Sequence, residues 1–498
     1  MKPDRAKLHR LIAAILAGTL TVALYSRCFP PFNLPYIAWF APVPLLIVIP
    51  RLSLRSAEWF GFLTGYALYA INFRWLYAIF GFPAVALWGL LALFMAVFCV
   101  LVRSLPADCG LGRRLLLIPC FWVAVEYVRC EQWPLRFSWL AMGYSQHNSP
   151  LILPLAGYVG VYGLSFLILA IATCLVAACR RQWWPSIIVA GGIALMLSGT
   201  MREDATRHQP TAKTGRVVLI QSGSHSIREL MARSDAALER RSIPTIVAWP
   251  EYALENTDTE DPDAYARIAD WASSRNVALV FGGTTSRGEN RYSSAAYVLG
   301  PDGGRKGVYE KHNPLPFFKD GEPGAAYPVF FWRLGDRVVP FGATICFDLS
   351  FERNARMLAR SGARFIVVPS GEPSNWPRLE QAQHAIVAPL RAAENGIGIL
   401  RCSAPGPSQI VSPSGRVRRS LDAGVEGAIE AYPAFGDGRR TIYNRFGWLI
   451  PVLCQVVTLL WVLSRTQDAL IRRRSARLQQ ETSEIGEHPS DVVGSQQS

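Results

Sequence analysis

Apolar runs crowd the first 200 residues, and one more stands alone near the C-terminus. They cover roughly 9–26, 34–50, 59–80, 83–103, 114–129, 151–179, 185–200 and 446–464. Each approaches the ~20 residues that a helix needs to cross a ~30 Å hydrocarbon layer. A chain built this way is not a purely water-soluble enzyme. Half of its 498 residues are hydrophobic and only 18% are charged, and its mean hydropathy is +0.18. That balance argues against wholesale disorder, collagen and coiled coil. The ten cysteines form no disulfide framework, and no pair has CxxC or zinc spacing.

The formal net charge is nevertheless +14. A basic excess suits nucleic acid or a membrane surface, so its location decides. Lys2, Arg5, Lys7 and Arg10 precede the first run, and Arg51 and Arg55 follow the second. Arg103, Arg113 and Arg114 follow the fourth, Arg180 and Arg181 the sixth, and Arg472, Arg473 and Arg474 the last. The turn Gly81-Phe82-Pro83 carries no charge. The positive-inside rule then predicts eight spans, both termini in the cytoplasm and 201–445 on the opposite side. The arginines mark membrane sides rather than one binding stripe, so no nucleic-acid partner is expected.

Tyr25-Ser26-Arg27 offers no small-x-small cleavage site, and Arg27 before Cys28 spoils lipoprotein-type processing, so the first run reads as an uncleaved helix. The polar tail 478–498 lacks periodicity and reads as disordered. Arg74 and Glu126 lie within apolar surroundings, where charge is functional by default. Helix-end and snorkelling roles stay open for both.

Residues 215–430 change character. Strand-like runs at 216–223, 244–251, 277–285, 293–300, 338–348, 363–371 and 397–404 alternate with helical patterns at 227–241, 261–276, 351–362 and 378–396. A hairpin follows, turning at Pro413-Ser414-Gly415. Continuous apolar strands between helices predict an α/β domain whose sheet is covered by helices. About 215 residues suffice to bury a core.

Three polar residues stand at strand ends, where α/β folds expose reactive side chains. Glu251 closes IVAWPE, Lys311 sits in VYEKHNPLPF, and Cys346 ends the ICFD strand. Taken singly, such a cysteine is more often buried filler, and a lone Glu or Lys is usually solvated. Together they have a specific chemistry. A thiol is mostly protonated at neutral pH and needs a base or cation beside it to attack a carbonyl. Glu251 could take the thiol proton and return it to a leaving group. Lys311 could stabilise the thiolate and then the oxyanion, with help from the backbone N–H after the nucleophile. The resulting thioester is open to an amine or to water, and the scheme requires no metal or organic cofactor. Cys402 keeps the bland reading. His312 and His384 lack a partner pattern, so core or surface roles are expected.

WPE with Glu251, YEK with Lys311 and its trailing PLPF, and ICFD with Cys346 resemble the three signatures of the nitrilase, or carbon–nitrogen hydrolase, superfamily. Their order and gaps of about 60 and 35 residues also suit it. The resemblance implies a Glu-Lys-Cys triad on an αββα sandwich. The phrases at 29–46, 60–77, 122–129, 137–166, 382–401 and 441–448 further resemble the apolipoprotein N-acyltransferase family. That likeness covers nearly the whole chain except the tail.

The family implies a bundle at 1–200, an extracytoplasmic catalytic domain at 215–430 and a closing helix at 446–464. It implies a multi-pass protein of the bacterial cytoplasmic (inner) membrane, with its catalytic face on the periplasmic side. An acyl chain would pass from a phospholipid to Cys346, with Glu251 as general base and Lys311 as oxyanion stabiliser. The acceptor would be the α-amino group of a diacylated apolipoprotein. The alternatives are a membrane-tethered amidase passing its acyl group to water, and a non-catalytic scaffold.

Three places depart from the family pattern. The usual PFGE phrase reads PFFKDGEPG, so Lys319 takes the carboxylate position and Glu322 follows three residues later as possible support. Asp348 stands where the family commonly has Glu, a second possible support. Gly371 replaces Asn after Ser370. These changes bear on acceptor specificity and on activity.

Overall fold

The computed structural model describes residues 5–179, 191, 215–224, 226–238, 243–254, 262–288, 291–318 and 320–486. The apolar run at 185–200 and Lys319 therefore lie outside the described residues.

The N-terminal part is helical. Its helices are α1 (Arg5–Arg27), α2 (Val43–Val48), α3 (Leu54–Asn72), α4 (Arg74–Phe80), α5 (Pro83–Arg103), α6 (Leu111–Tyr127) and α7 (Ala156–Ala178). Among the described residues, four stretches are long and apolar enough to cross a membrane: Lys7–Arg27, Pro83–Arg103, Leu153–Ala178 and Tyr443–Gln479. The sequence count of eight is larger because hydropathy ignores helix continuity. The run at 34–50 is one short apolar stretch assembled from brief turns around several prolines. The run at 59–80 breaks at Phe73, whose backbone (φ −108°, ψ 30°) is not helical. Asn72 sits at that break, donating from Nδ2 to Ser26 Oγ (2.8 Å) and to the Leu68 carbonyl (2.8 Å). Helix α7 bends at Gly160 (φ +68°), where the ring of Tyr443 would lie 2.3 Å from any Cβ.

The two intramembrane charges part company. Glu126 is buried and structural, accepting from Trp122 Nε1 (3.0 Å) and from the Met142 N–H (2.7 Å). Arg74 is exposed and donates to the Ile71 carbonyl at 3.2 Å.

Twelve strands and five helices follow. They are β1 (Arg216–Gln221), α8 (Ile227–Leu238), β2 (Thr245–Ala248), α9 (Pro262–Arg275), β3 (Val277–Ser286), β4 (Tyr292–Leu299), β5 (Arg305–Glu310), β6 (Val329–Leu334) and β7 (Arg337–Ala343). Then come α10 (Glu352–Arg360), β8 (Phe365–Gly371), α11 (Arg378–Ala385), α12 (Val387–Asn395), β9 (Gly398–Ala404), β10 (Ser408–Val411), β11 (Val417–Leu421) and β12 (Gly427–Ala431). The expected single helix over 378–396 is two. Pro389 in the first turn of α12 lacks an N–H, and its ring collides with the carbonyl four residues back. The expected hairpin is β10–β11, with Gly415 at φ +83° in its turn.

The strands form two six-stranded sheets, ordered β12-β1-β2-β3-β4-β5 and β11-β10-β9-β8-β7-β6. Why the strands are continuously apolar is now plain. On β1, Val217 and Leu219 join the core between the sheets, while Val218 and Ile220 face Leu230 of α8 and Ile268 of α9. On β8, Phe365 and Val367 enter the inter-sheet core, whereas Ile366 and Val368 join the cluster that holds Leu358 of α10 and Leu390 of α12. Side chains alternate with period two, and both faces are covered. The layering is therefore helix–sheet–sheet–helix, as the resemblance implies.

The outer helical layer of the second sheet shares one apolar core with the membrane bundle. Polar contacts fix that junction: Trp75 Nε1 donates to Gln383 (2.9 Å), Arg136 donates to Asn313 (2.8 Å), and the Val161 N–H donates to Glu394 (2.8 Å). A last helix, α13, runs from Leu449 to Gly486. Its 38 residues outlast the expected span, so the tail expected to be disordered from 478 is helical as far as Gly486, and 487–498 lie outside the described residues.

Candidate active site

The ends of three strands converge. Glu251 follows β2, and its backbone N–H donates to the Ser370 carbonyl at the end of β8 (3.3 Å). Its Cα crosses close over β3, where a Cβ on Gly282 would sit 2.5 Å away. Lys311 follows β5, anchored by its N–H to the Ser294 carbonyl on β4 (2.8 Å). Cys346 opens a short turn, Cys346–Ser350, just beyond β7. Its φ of +43° is a left-handed conformation that a non-glycine residue adopts only under constraint, and it projects the thiol sharply from the strand end.

These three sequence-predicted residues meet in a buried cluster. Lys311 Nζ donates to Glu251 Oε1 at 2.9 Å, with the lysine fully shielded from solvent. The Cys346 thiol sits beside Glu251 and donates to the Gly371 carbonyl at 3.7 Å. Gly371 donates its N–H to Glu251 Oε2 (3.0 Å), so this main chain bridges the carboxylate and the thiol. Burial pushes Glu251 up to about 7, against the opposing pull of Lys311. Burial would lower Lys311, but Glu251 and Asp320 outweigh it and hold the ammonium well above the usual lysine range. Burial, reinforced by Glu251, also raises Cys346 well above an ordinary thiol.

The residue that sequence reasoning missed is Asp320. Its Oδ2 lies 2.7 Å from Lys311 Nζ and accepts from the Leu315 N–H (2.8 Å), while Oδ1 accepts from the Tyr252 hydroxyl (3.1 Å). Glu322, expected as possible support, instead has a 39% exposed side chain 3.7 Å from Arg291. The two differ because the loop turns at Gly321 (φ +80°) and bridges to Ser293 on β4, which sends Asp320 inward. A signal was present: Asp320 is the acid nearest the family's carboxylate position.

Asp348, the other expected support, is buried beside the nucleophile but does not reach Lys311. It accepts from Tyr309 Oη (2.7 Å), the N–H groups of His312 (3.0 Å) and Asn313 (2.7 Å), and Asn313 Nδ2 (2.8 Å). It thereby ties the Lys311 loop to the Cys346 turn. Cys402 is buried filler on β9, as expected. His312 stacks on Tyr327 with ring centroids 4.3 Å apart. His384 departs from expectation and pairs with Glu372 (2.9 Å). Among the described residues, Cys346, Glu372 and His384 are three potential metal donors whose ligand atoms lie within 4.8 Å of one another. Arg401 and Ser403 already hold that carboxylate.

Bundle residues line the approach. Trp139 packs 5.9 Å from Phe347, and Phe80 of α4 meets Phe317 and Phe318 of the Lys311–Asp320 loop at 6.1 and 5.7 Å. A buried thiol flanked by a carboxylate and an ammonium is equipped for acyl transfer through a thioester.

The chain is also similar to known proteins. Residues 22–174 match the apolipoprotein N-acyltransferase N-terminal domain, and residues 236–441 match carbon–nitrogen hydrolase. An apolipoprotein N-acyltransferase of Vibrio vulnificus is 25% identical over 93% of this chain and 99% of its own. One from Geobacter metallireducens is 26% identical over 88% of this chain and 92% of its own. Among solved structures, an amidase from Nesterenkonia sp. superposes on 48% of this chain and 95% of its own, with 20% identity and a TM-score of 0.39.

Proposed function

We infer that this chain, which belongs to the apolipoprotein N-acyltransferase family, is a phospholipid:apolipoprotein N-acyltransferase working through a cysteine thioester. The observation that carries the mechanism is the convergence of Glu251, Lys311 and Cys346 inside the matched hydrolase segment.

In the first half-reaction Glu251 takes the thiol proton and the Cys346 sulfur attacks the ester carbonyl of a phospholipid. Lys311 and the Phe347 N–H face the oxyanion. The tetrahedral adduct collapses with cleavage of the ester C–O bond. Glu251 returns the proton to the departing glycerol oxygen, leaving a lysophospholipid and an acyl-Cys346 thioester. In the second, the α-amino group of the diacylglyceryl-cysteine of an apolipoprotein attacks the thioester. Its proton passes to Glu251 and on to the departing sulfur, yielding the N-acylated protein and the free thiol. Asp320 holds Lys311 in place throughout.

Both substrates are anchored in lipid, which gives the bundle its purpose. We place residues 1–200 and 446–464 in the bacterial inner membrane, and the domain at 215–430 on its periplasmic side. The Lys and Arg positions at the even-numbered gaps support this orientation.

The test supplies purified protein with phospholipid and a diacylated lipopeptide, and reads lysophospholipid and N-acylated peptide by mass spectrometry. Equal amounts of the two products are expected. Lysophospholipid with free fatty acid and no acylated peptide would replace the transferase with a hydrolase. Full turnover by Cys346→Ala would remove the nucleophile assignment.

A further inference from the structure

The end of β8 serves the nucleophile twice. Gly371 bridges Glu251 and Cys346, and the next residue, Glu372, begins a second buried network. Glu372 Oε1 accepts from His384 Nδ1 on α11 (2.9 Å) and from Arg401 on β9, and Oε2 accepts from Ser403 Oγ (2.8 Å). Both the carboxylate and the imidazole are buried. A ring nitrogen of His384 and the Cys346 Sγ lie within 4.8 Å of each other.

Arg401 alone would neutralise the Glu372 charge, so the ion pair does not explain His384. Its contacts do. A non-glycine residue at φ +43° carries backbone strain, which persists only where neighbours over-determine the conformation. Asp348 secures the far end of the Cys346 turn through Tyr309, His312 and Asn313. At the near end the neighbouring group is His384. Trp139 packs against both sides of this contact, 6.2 Å from the His384 ring and 5.9 Å from Phe347. Burial lowers the proton affinity of His384, partly offset by Glu372, while Arg401 and His384 overcome burial to draw Glu372 down to about 2. The carboxylate is therefore ionised and fixes the ring through Nδ1.

We propose that His384, oriented by Glu372, is a positioning residue that packs beside Cys346 so that the thiol stays aimed at the Glu251–Lys311 pair. The role rests on Cys346 being the nucleophile and touches neither substrate. A group displaced by ~1 Å from its attack geometry loses about 10²-fold in rate.

The experiment measures the single-turnover rate of acyl-enzyme formation, by intact mass and lysophospholipid release, across phospholipid concentrations in the full-length protein. It compares wild type, His384→Ala, His384→Gln, Glu372→Asp and Cys346→Ala, with thermal unfolding run on each. His384→Ala should cut the saturating rate about 10²-fold while half-saturation moves less than about threefold. His384→Gln, whose amide can keep the bond to Glu372 and fill the space beside Cys346, should regain about tenfold. Glu372→Asp keeps the charge beside Arg401 but retracts it from His384, so it should behave as a milder His384→Ala and answers the question if that variant does not fold. The proposal is overturned if His384→Ala or Glu372→Asp keeps its rate within about threefold, if His384→Gln regains nothing, or if the losses simply track thermal midpoints. Turnover retained by Cys346→Ala would instead sink the nucleophile assignment, which keeps the two failures apart.

Discussion

Lys311 is held between two carboxylates, 2.9 Å from Glu251 and 2.7 Å from Asp320, with none of the three side chains more than 2% exposed. Only Glu251 also touches the thiol, so the acids divide the work: one moves protons and the other steadies the cation. Asp320→Asn leaves Lys311 with a single anionic partner in a dry site, where a lost charge–charge contact is costly. We expect acyl-enzyme formation to fall by about 10²–10³-fold. Glu322→Gln, on the exposed side of the same loop, should stay within about twofold. Measuring lysophospholipid release from the two variants side by side checks this, and a larger loss in Glu322→Gln would reverse the assignment.

The pH dependence follows from Glu251. As a general base it must be ionised, and burial raises its pKa to about 7, so the active form is lost as pH falls through that value. The groups facing it are Lys311, which favours the anion, and Asp320, which opposes it, with the Cys346 thiol alongside. Acyl-enzyme formation should rise about tenfold per pH unit below the midpoint and then level off. Removing the Asp320 charge should move that midpoint to lower pH. A midpoint that stays put in Asp320→Asn would argue against Glu251 as the titrating base.

Much of this site was legible in the sequence because each triad residue stands at a strand end, and Glu251 follows a strand buried along its whole length. The β1 alternation between Val217 and Leu219 on one side and Val218 and Ile220 on the other is what makes such a run visible. Asp320 stood nearest the expected carboxylate position, but its inward course was not legible, since it depends on the left-handed turn at Gly321 and on a bridge to Ser293. The Glu372–His384 pair was hidden for a related reason: its partners leave a strand end and a helix, and no local pattern records where those meet. Membrane helices were over-counted where Asn72 and the prolines at 35, 42 and 50 interrupt apolar stretches that hydropathy reads as whole. Hydropathy reports burial without reporting continuity.

Gly282 is a second unobtrusive support. A methyl added there would lie 2.5 Å from the Glu251 Cα and 3.1 Å from the Pro250 carbonyl, both backbone atoms that cannot swing aside. Gly282→Ala should therefore displace Glu251 and lower the rate at least about tenfold, with a fall in thermal midpoint. Gly89→Ala, where the new methyl meets nothing within 4 Å, is the matched control and should change little. Steady-state rates and thermal unfolding of both proteins decide.

Asp348 should act on stability as much as on rate. Its removal in Asp348→Ala strands the N–H groups of His312 and Asn313 and the Asn313 amide, while the Tyr309 hydroxyl keeps the His312 ring and Thr344. Each orphaned donor costs roughly 1–3 kcal/mol, so a loss of ~3–5 kcal/mol is expected after partial relaxation. Chemical denaturation in detergent reads this directly. Asp348→Glu restores the family's more common residue and keeps the charge, so it should retain more stability than Asp348→Ala. Equal losses in the two variants would mean that the carboxylate hydrogen bonds do not hold the turn.

The loop between Lys311 and Asp320 also carries the rings that meet the bundle. Phe318 packs 5.7 Å from Phe80 of α4 and 5.5 Å from Trp376 after β8, yet its side chain remains 39% exposed. A half-exposed aromatic on the catalytic loop, packed against α4 of the apolar bundle, is placed to touch the acyl chain of a lipid substrate. Truncating it removes apolar contact worth about 1–2 kcal/mol to such a chain. Phe318→Ala should therefore raise half-saturating phospholipid about tenfold and leave the saturating rate within about threefold. Phe331 on β6, 70% exposed, provides the comparison, and Phe331→Ala should leave half-saturation unchanged. If Phe318→Ala instead lowers the saturating rate at constant half-saturation, the ring steadies Lys311 and Asp320 rather than the lipid.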